Sequence, residues 1–394
     1  MMSDSQLNVE NKRILCCAPD AVGHVIPTLT LAEHFAKRNE VFFINFNPNI
    51  ILRKKHNIKS IYVNNLNDSI ESLKEDVNFF LKIIDEISPD ITISDWNYVF
   101  QIAAKIKNVI CNISILRVEL FIGYKIINYQ VDDKFCLSDK TDLEIINETL
   151  SYFNEYPISD FRELLIGDLN VIPGIPEMDR LDFPLLDKYT NVEYIGLLYH
   201  DFFSKIIDIK KILEWIDCHK HKKVVLVTFG NAWGSTMLYK RILEIISKDS
   251  ALAGIFVIPH DGIRERIQSE VNNDNILILP FIKNLLDIFK RVDLVIHHCG
   301  HAISLLAMLA GKPSIIFPSG HYDRDDNAVR LEQLGVCYRF ASTLLSFDLQ
   351  NLIHEAIQDV QMMERVDHFQ KVVEWYTINR GAPYLDKCVR QKFF

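Results

Sequence analysis

Four short stretches of the chain hold residue types able to do chemistry. Gly23-His24-Val25-Ile26-Pro27 follows an apolar run and opens a helical pattern. An imidazole in that position can take up a proton near neutral pH, or it can cap the helix or pack in the loop. Pro89-Asp90-Ile91-Thr92-Ile93-Ser94-Asp95-Trp96 carries a second apolar run onto a carboxylate. If the two runs are close in one sheet, Asp95 reaches the far nitrogen of His24, fixes its tautomer and favours the imidazolium. Taken alone, Asp95 is equally a cap for the helix that follows. His297-His298-Cys299-Gly300-His301-Ala302-Ile303-Ser304 joins a strand to a helix. Backbone N–H groups at a helix start attract phosphate, and His298 and Ser304 add donors. A metal site is the rival reading, but adjacent strand residues point to opposite faces and zinc ligands usually stand two to four residues apart. Pro318-Ser319-Gly320-His321-Tyr322-Asp323-Arg324-Asp325-Asp326-Asn327-Ala328 gathers acids and an arginine in one loop. Such a loop can bind sugar hydroxyls or be a solvated turn.

These stretches need a scaffold, and the hydrophobic pattern supplies one. Strand-length runs at Arg13–Ala18, Val41–Ile44, Ile61–Val63 and Asp90–Ser94 alternate with helical spacing at Thr28–Lys37, Ile70–Ile87 and up to Lys107. Gly23 and Pro27 fall in a loop in this reading. The rhythm restarts at Lys223–Phe229, which ends in Gly230, and continues through runs at Gly254–Ile258, Asn275–Leu279, Asp293–His297 and Ser314–Phe317. Helical spacing lies between them at Leu238–Ser247, Asn284–Lys290 and Ile303–Ala310. Alternation of this kind predicts parallel βαβ units, here in two successive doubly wound α/β domains. The junction is expected between Gly196 and Lys210. Residues 120–190 are less periodic, broken by Pro173, Pro176 and Pro184, and are expected to shape a substrate mouth.

Bulk composition narrows the function classes. The chain has 394 residues, enough for two domains, with 48% hydrophobic and 24% charged residues. A formal net charge of -9 and the lack of any Lys/Arg-rich run argue against nucleic-acid binding. The eight cysteines show no disulfide spacing and no CxxC pair, which fits a reduced cytoplasmic chain. Residues 1–13 are polar, the apolar stretch Ile14–Ala18 is too short for a signal peptide, and no run approaches the ~18 apolar residues of a membrane span. Neither a GxGxxG fingerprint nor a Walker A loop is present, so nothing points to NAD, FAD or a P-loop nucleotide.

Together the four stretches resemble the GT-B glycosyltransferases over nearly the whole chain. Gly23-His24 through Pro27 resembles the GHxxP opening of the UDP-glycosyltransferase family, and Asp95 its PDxxxxD strand end. His298-Cys299-Gly300 with Ser304, then Gly311-Lys312-Pro313, Pro318, Asp323 and Asn327-Ala328, is similar to that family's donor signature. Asn191-Val192 to Gly196 looks like its lead into the interdomain linker, and Phe229-Gly230-Asn231 like its FGS loop. The run Phe281 to Gly300, with His321-Tyr322-Asp323-Arg324, is also similar to the bacterial N-acetylglucosaminyltransferase that completes the lipid-linked peptidoglycan precursor. Some positions depart from the pattern. The ribose-binding Glu falls at Leu306, the aromatic after HCG at His301, the phosphate-binding Asn and Ser at Ala302 and Ile303, and the sugar-binding Gln at Arg324.

The resemblance implies two Rossmann-like doubly wound domains facing each other across a cleft. Residues 1–203 would bind acceptor, 204–375 would bind nucleotide sugar, and 376–394 would pack back toward the N-terminal domain. It implies His24 as general base oriented by Asp95, inverting an α-linked donor to a β-glycoside. The donor, a UDP- or dTDP-sugar, would contact Gly230, Asn231, Phe281, Ile282, His298, Gly300, Ser304, Asp323 and Arg324. Phe281 and Ile282 would lie along the base, Asp323 and Arg324 on the sugar hydroxyls. Helix dipole, His298 and Ser304 would steady the diphosphate, so no metal or other cofactor is expected. The acceptor, a small molecule, would sit on residues 64–80 and 120–165, with Phe79, Phe80, Phe121, Tyr124, Tyr129 and Phe135 as apolar lining or as ordinary core. Three other readings stay open: a catalytically silent binding or activating partner, a non-hydrolysing nucleotide-sugar epimerase, and a transferase acting on a lipid-linked acceptor at a membrane surface.

Overall fold

The computed structural model describes residues 8–46, 58–63, 72–116, 140–180, 191–199, 209–230, 236–271, 273–280, 285–318, 322–340 and 346–394. The chain divides into two compact units, residues 1–200 with 376–394 and residues 201–375.

In the first unit, seven parallel strands form one sheet. They are β1 (Arg13–Cys17), β2 (Glu40–Asn45), β3 (Ile58–Tyr62), β4 (Ile91–Asp95), β5 (Cys111–Ile115), β6 (Leu169–Ile172) and β7 (Val192–Tyr194). Their order is β3-β2-β1-β4-β5-β6-β7. Helices α1 (Val22–Phe35), α2 (Leu73–Ile87), α3 (Tyr98–Ile106) and α4 (Lys140–Tyr152) connect them, with a 3-10 turn at Phe161–Leu165. β1, β4 and β5 are buried almost throughout; β1 is a continuous apolar run, whereas β4 and β5 alternate apolar with buried polar residues. Phe80 is fully buried and meets Phe100 edge to face at 5.4 Å. It therefore belongs to the core between α2 and α3 and not to an acceptor surface. Phe79 packs against the same core, partly buried.

The second unit repeats the plan. Strands β8 (Lys223–Thr228), β9 (Leu252–Val257), β10 (Ile276–Leu279), β11 (Leu294–His297), β12 (Ser314–Ile316) and β13 (Cys337–Arg339) form a parallel sheet in the order β10-β9-β8-β11-β12-β13. Around it run α5 (Ile209–Cys218), α6 (Thr236–Lys248), α7 (Asp261–Gln268), α8 (Leu285–Phe289), α9 (His301–Leu309), α10 (Tyr322–Leu334), α11 (Ser346–Gln358) and most of α12 (Val360–Asn379). Both sheets wind outward from a first strand in the two directions of a Rossmann sheet. Each thus has a point where the strand order reverses, between β1 and β4 and between β8 and β11. Ligands of open α/β sheets bind beyond the carboxyl ends of the strands at such a point.

Most expected elements lie within a few residues of their predicted bounds. The opening of α1 does not. The helix begins at Val22, so Gly23 and Pro27 lie inside it rather than in a loop. Pro27 stands in the second turn of α1, where it removes the N–H that would bond the Gly23 carbonyl. β5, β6, β7 and β13 were missed by periodicity, being three to five residues long and set among irregular segments.

In the first unit, the buried carboxylate of Asp386 ties the final helix α13 (Ala382–Phe393) to the start of the chain and to α1. Asp386 accepts hydrogen bonds from the Val9 N–H at 2.7 Å, from Arg38 at 3.0 Å and from His34 Nε2 at 3.1 Å. Gly196 passes so close to the chain at Tyr376 and Thr377 that a Cβ there would stand 2.4 Å from the Thr377 nitrogen. Asp386→Ala leaves three donors without their acceptor and is expected to lower stability by about 2–3 kcal/mol. Urea unfolding of the full chain reads this, and an unchanged midpoint would show that the clasp is idle.

Candidate active site

The first constellation lies at the reversal point of the first sheet. β1 and β4 are neighbours, with Cys17 opposite Ser94. α1 leaves the end of β1 carrying His24 in its first turn, and Asp95 closes β4. His24 Nδ1 stands 2.8 Å from Asp95 Oδ1. Asp95 is completely buried, whereas the His24 side chain is 27% exposed. A carboxylate accepts only, so Nδ1 carries the proton and Nε2 keeps its lone pair. Nε2 has no partner among the described residues. That is the arrangement a general base requires: one nitrogen anchored, the other open.

The backbone after β4 explains how Asp95 is held. Trp96 adopts φ +50°, a left-handed conformation that is costly for a bulky residue. Asn97 then caps α3, its Oδ1 accepting the Phe100 N–H at 2.9 Å. Its Nδ2 donates to Cys17 Sγ at 3.3 Å, tying the start of α3 to the end of β1. Gln101 Nε2 donates to Ser94 Oγ at 2.6 Å beneath the same turn. Neither Asn97 nor Gln101 stands among the candidates that the motifs single out. An Asn two residues past a strand-end Asp, just before a helical pattern, was the available signal for the first.

The second constellation lies at the reversal point of the second sheet, where β8 and β11 pair with Thr228 opposite His297. His298 leaves β11, and Cys299 turns the chain with φ +64°. Gly300 is the N-cap of α9. The His298 ring lies between two glycines. A Cβ on Gly230 would come within 2.8 Å of its Cε1, and one on Gly300 within 2.8 Å of its Nε2. Gly230, itself at φ +65°, and Gly300 are therefore the walls of a slot for this imidazole. Burial first, and the Arg324 charge second, hold His298 down at about 4, so it is neutral at pH 7. At pH 7 it brings no positive charge to a phosphate, and its ring hydrogen-bonds the Thr228 backbone.

The neighbours of His298 divide into those that face a ligand position and those that do not. His297 is fully buried, its Nδ1 accepting the Cys299 N–H at 3.1 Å, and burial lowers it to about 3. It is structural. Burial likewise pushes the Cys299 thiol up, and among the described residues no group of three or more His, Cys, Asp and Glu could hold a metal ion. Ser304 is buried, and its hydroxyl donates to the Gly300 carbonyl at 2.9 Å inside the first turn of α9. As placed, it is occupied by its own helix, and the N–H groups of His301, Ala302 and Ile303 are the nearer phosphate donors. Leu306 is buried in the core. Asn327 Nδ2 donates to the Cys299 carbonyl at 3.2 Å, which brings the start of α10, with Asp323 and Arg324, against the same turn. Both charges act on His298 in opposite senses. Asn231, Phe281, Ile282, Phe121, Tyr124, Tyr129 and Phe135 lie outside the described residues, as do 64–71.

Residues 224–373 match the glycosyltransferase family 28 C-terminal domain. The chain is 22% identical over 306 residues to an uncharacterized glycosyltransferase of Methanosarcina mazei, covering 74% of this chain and 71% of that protein. It is 31% identical over 181 residues to a UDP-N-acetylglucosamine--N-acetylmuramyl-(pentapeptide) pyrophosphoryl-undecaprenol N-acetylglucosamine transferase of Bacillus cytotoxicus. That match spans 43% of this chain and 48% of the relative, less than half of its length. The solved structure of the calicheamicin glycosyltransferase CalG4 superposes with a TM-score of 0.75 at 13% identity, over 97% of this chain and 98% of its own. A Medicago truncatula glycosyltransferase solved with UDP-glucose gives 0.69 at 13% identity, over all of both chains. The fold is GT-B, and the protein is a glycosyltransferase.

Proposed function

We propose that the protein is an inverting glycosyltransferase that moves a sugar from a UDP- or dTDP-sugar to a hydroxyl of a small-molecule acceptor. The observation that carries this reading is the His24–Asp95 pair, bonded at 2.8 Å with the far ring nitrogen open. His24 Nε2 takes the proton of the acceptor hydroxyl, and buried Asp95 stabilises the imidazolium. The acceptor oxygen bonds to the anomeric carbon from the face opposite the nucleotide, and the electron pair of the broken bond leaves with the diphosphate. The N-terminal N–H groups of α9, beside His298 in its glycine slot, receive that diphosphate as hydrogen-bond donors. Those groups carry part of a cation's work, and this reading assigns no metal to the reaction.

A lipid-linked acceptor is the second reading, favoured by the relatives that act on pyrophosphoryl-undecaprenol, as their names state. Among the described residues no helix is long and apolar enough to cross a membrane. The test is transfer from a panel of UDP- and dTDP-sugars, with and without a chelator, to hydroxylated aromatic acceptors and to a prenyl diphosphate-linked sugar. Transfer to the aromatics that survives chelation supports the first reading, and transfer only to the prenyl acceptor replaces it with the second. Binding of a nucleotide sugar without turnover on either class would make the protein a silent binding partner.

A further inference from the structure

The donor half of that reaction calls for a charge that the adjacent histidines do not supply. When the anomeric carbon–oxygen bond breaks, the nucleoside diphosphate departs with the electron pair and gains negative charge. His297 and His298 are both neutral at pH 7, and a helix N-terminus offers only about half a unit charge.

We propose that Arg324 is the fixed cation of the site, pairing with the diphosphate of the donor rather than with the hydroxyls of its sugar. The inference rests on the transferase reading above and assigns its leaving-group residue. Arg324 lies in the first turn of α10 and is only 9% exposed. Asn327, three residues on, shares its helix face and is bonded to the Cys299 carbonyl. The same face is thereby held against the turn that carries His298 and starts α9. Proximity shows independently in the electrostatics, since the Arg324 charge disfavours protonation of His298. A guanidinium is always charged and presents five donors in a planar fork, so it can keep contacts within the fold and still grip a phosphate. Of the next two acids, Asp325 pairs with Arg339 at 3.2 Å and Asp326 with Arg330.

Titration of uridine, UMP, UDP and UDP-glucose, and of the thymidine counterparts, into the full-length wild type, Arg324→Gln and Arg324→Lys separates the possibilities. Losing a charge-assisted bond to phosphate should weaken UDP by about 10- to 100-fold in Arg324→Gln. Uridine should bind as before, UDP-glucose should weaken by the same factor as UDP, and Arg324→Lys should recover part of the loss. Unchanged UDP binding with weaker UDP-glucose would place Arg324 on the sugar and overturn the proposal. An equal loss for uridine would overturn it too, by making the residue structural. A wild type that binds no nucleotide in either series would instead sink the transferase reading itself.

Discussion

His24→Ala is expected to slow sugar transfer by about 10²- to 10⁴-fold, the usual contribution of a positioned general base. The site keeps its other parts in this variant. Asp95 stays buried at the end of β4. Donor binding and thermal stability should therefore stay near wild type while the rate falls. Asp95→Asn sharpens the test. Asparagine fills the same space, but it carries no charge to favour the imidazolium and can present an N–H to Nδ1. That reverses the tautomer, placing the proton on Nε2 where the base must be empty. Loss of a comparable order is expected, and the double variant should be little slower than either single one, since the two residues act as a unit. Product formation measured by mass spectrometry reads all three. Transfer by His24→Ala at the wild-type rate would falsify the proposed mechanism whatever the fold.

Acid should destabilise the second unit through its two covered histidines. An unfolded chain protonates histidine near pH 6.5, whereas His297 and His298 in the folded protein are held at about 3 and about 4. Between those values the unfolded state holds protons the folded state lacks, so each step toward acid favours unfolding. The stabilisation is complete above about pH 6.5 and is lost progressively as pH falls toward the folded values. Each histidine contributes on the order of 3 kcal/mol of that loss by pH 4. His297→Asn provides the control. Its Oδ1 can still accept the Cys299 N–H, but the side chain does not titrate. Thermal unfolding from about pH 7 to about pH 4 should show a steep fall for wild type and a shallower one for His297→Asn. Parallel curves would mean that the two histidines are not the groups that take up the protons.

The motif residues were legible because chemistry constrains residue type and spacing locally. A histidine six residues past the first strand run, a carboxylate at the end of another, and His-Cys-Gly before a helical pattern are all visible in the sequence. The strand rhythm was legible for a similar reason, since strands buried on both faces are rich in apolar residues. Local signals also misled. Pro27 read as a loop residue but lies within α1, and Phe80 read as a possible acceptor contact but is core. Burial and proline placement depend on what packs opposite, which no local window contains. Ser304 was expected to face the phosphate by type, and the helix geometry gives its hydroxyl to Gly300 instead.

The pairing of His24 with Asp95 marks the division most clearly. The sequence alone determined that an imidazole and a carboxylate each stand at a strand end, and that two α/β halves follow one another. Only the tertiary structure decided that β1 lies beside β4, which brings residues 71 positions apart to 2.8 Å. Likewise, only it placed Gly230 and Gly300 on either side of His298 and turned Trp96 and Cys299 into left-handed backbone. The physical reason is one of range. Periodicity records how each residue is buried, but strand order and close approach are set by the packing of the whole sheet, where distant segments compete for the same neighbour.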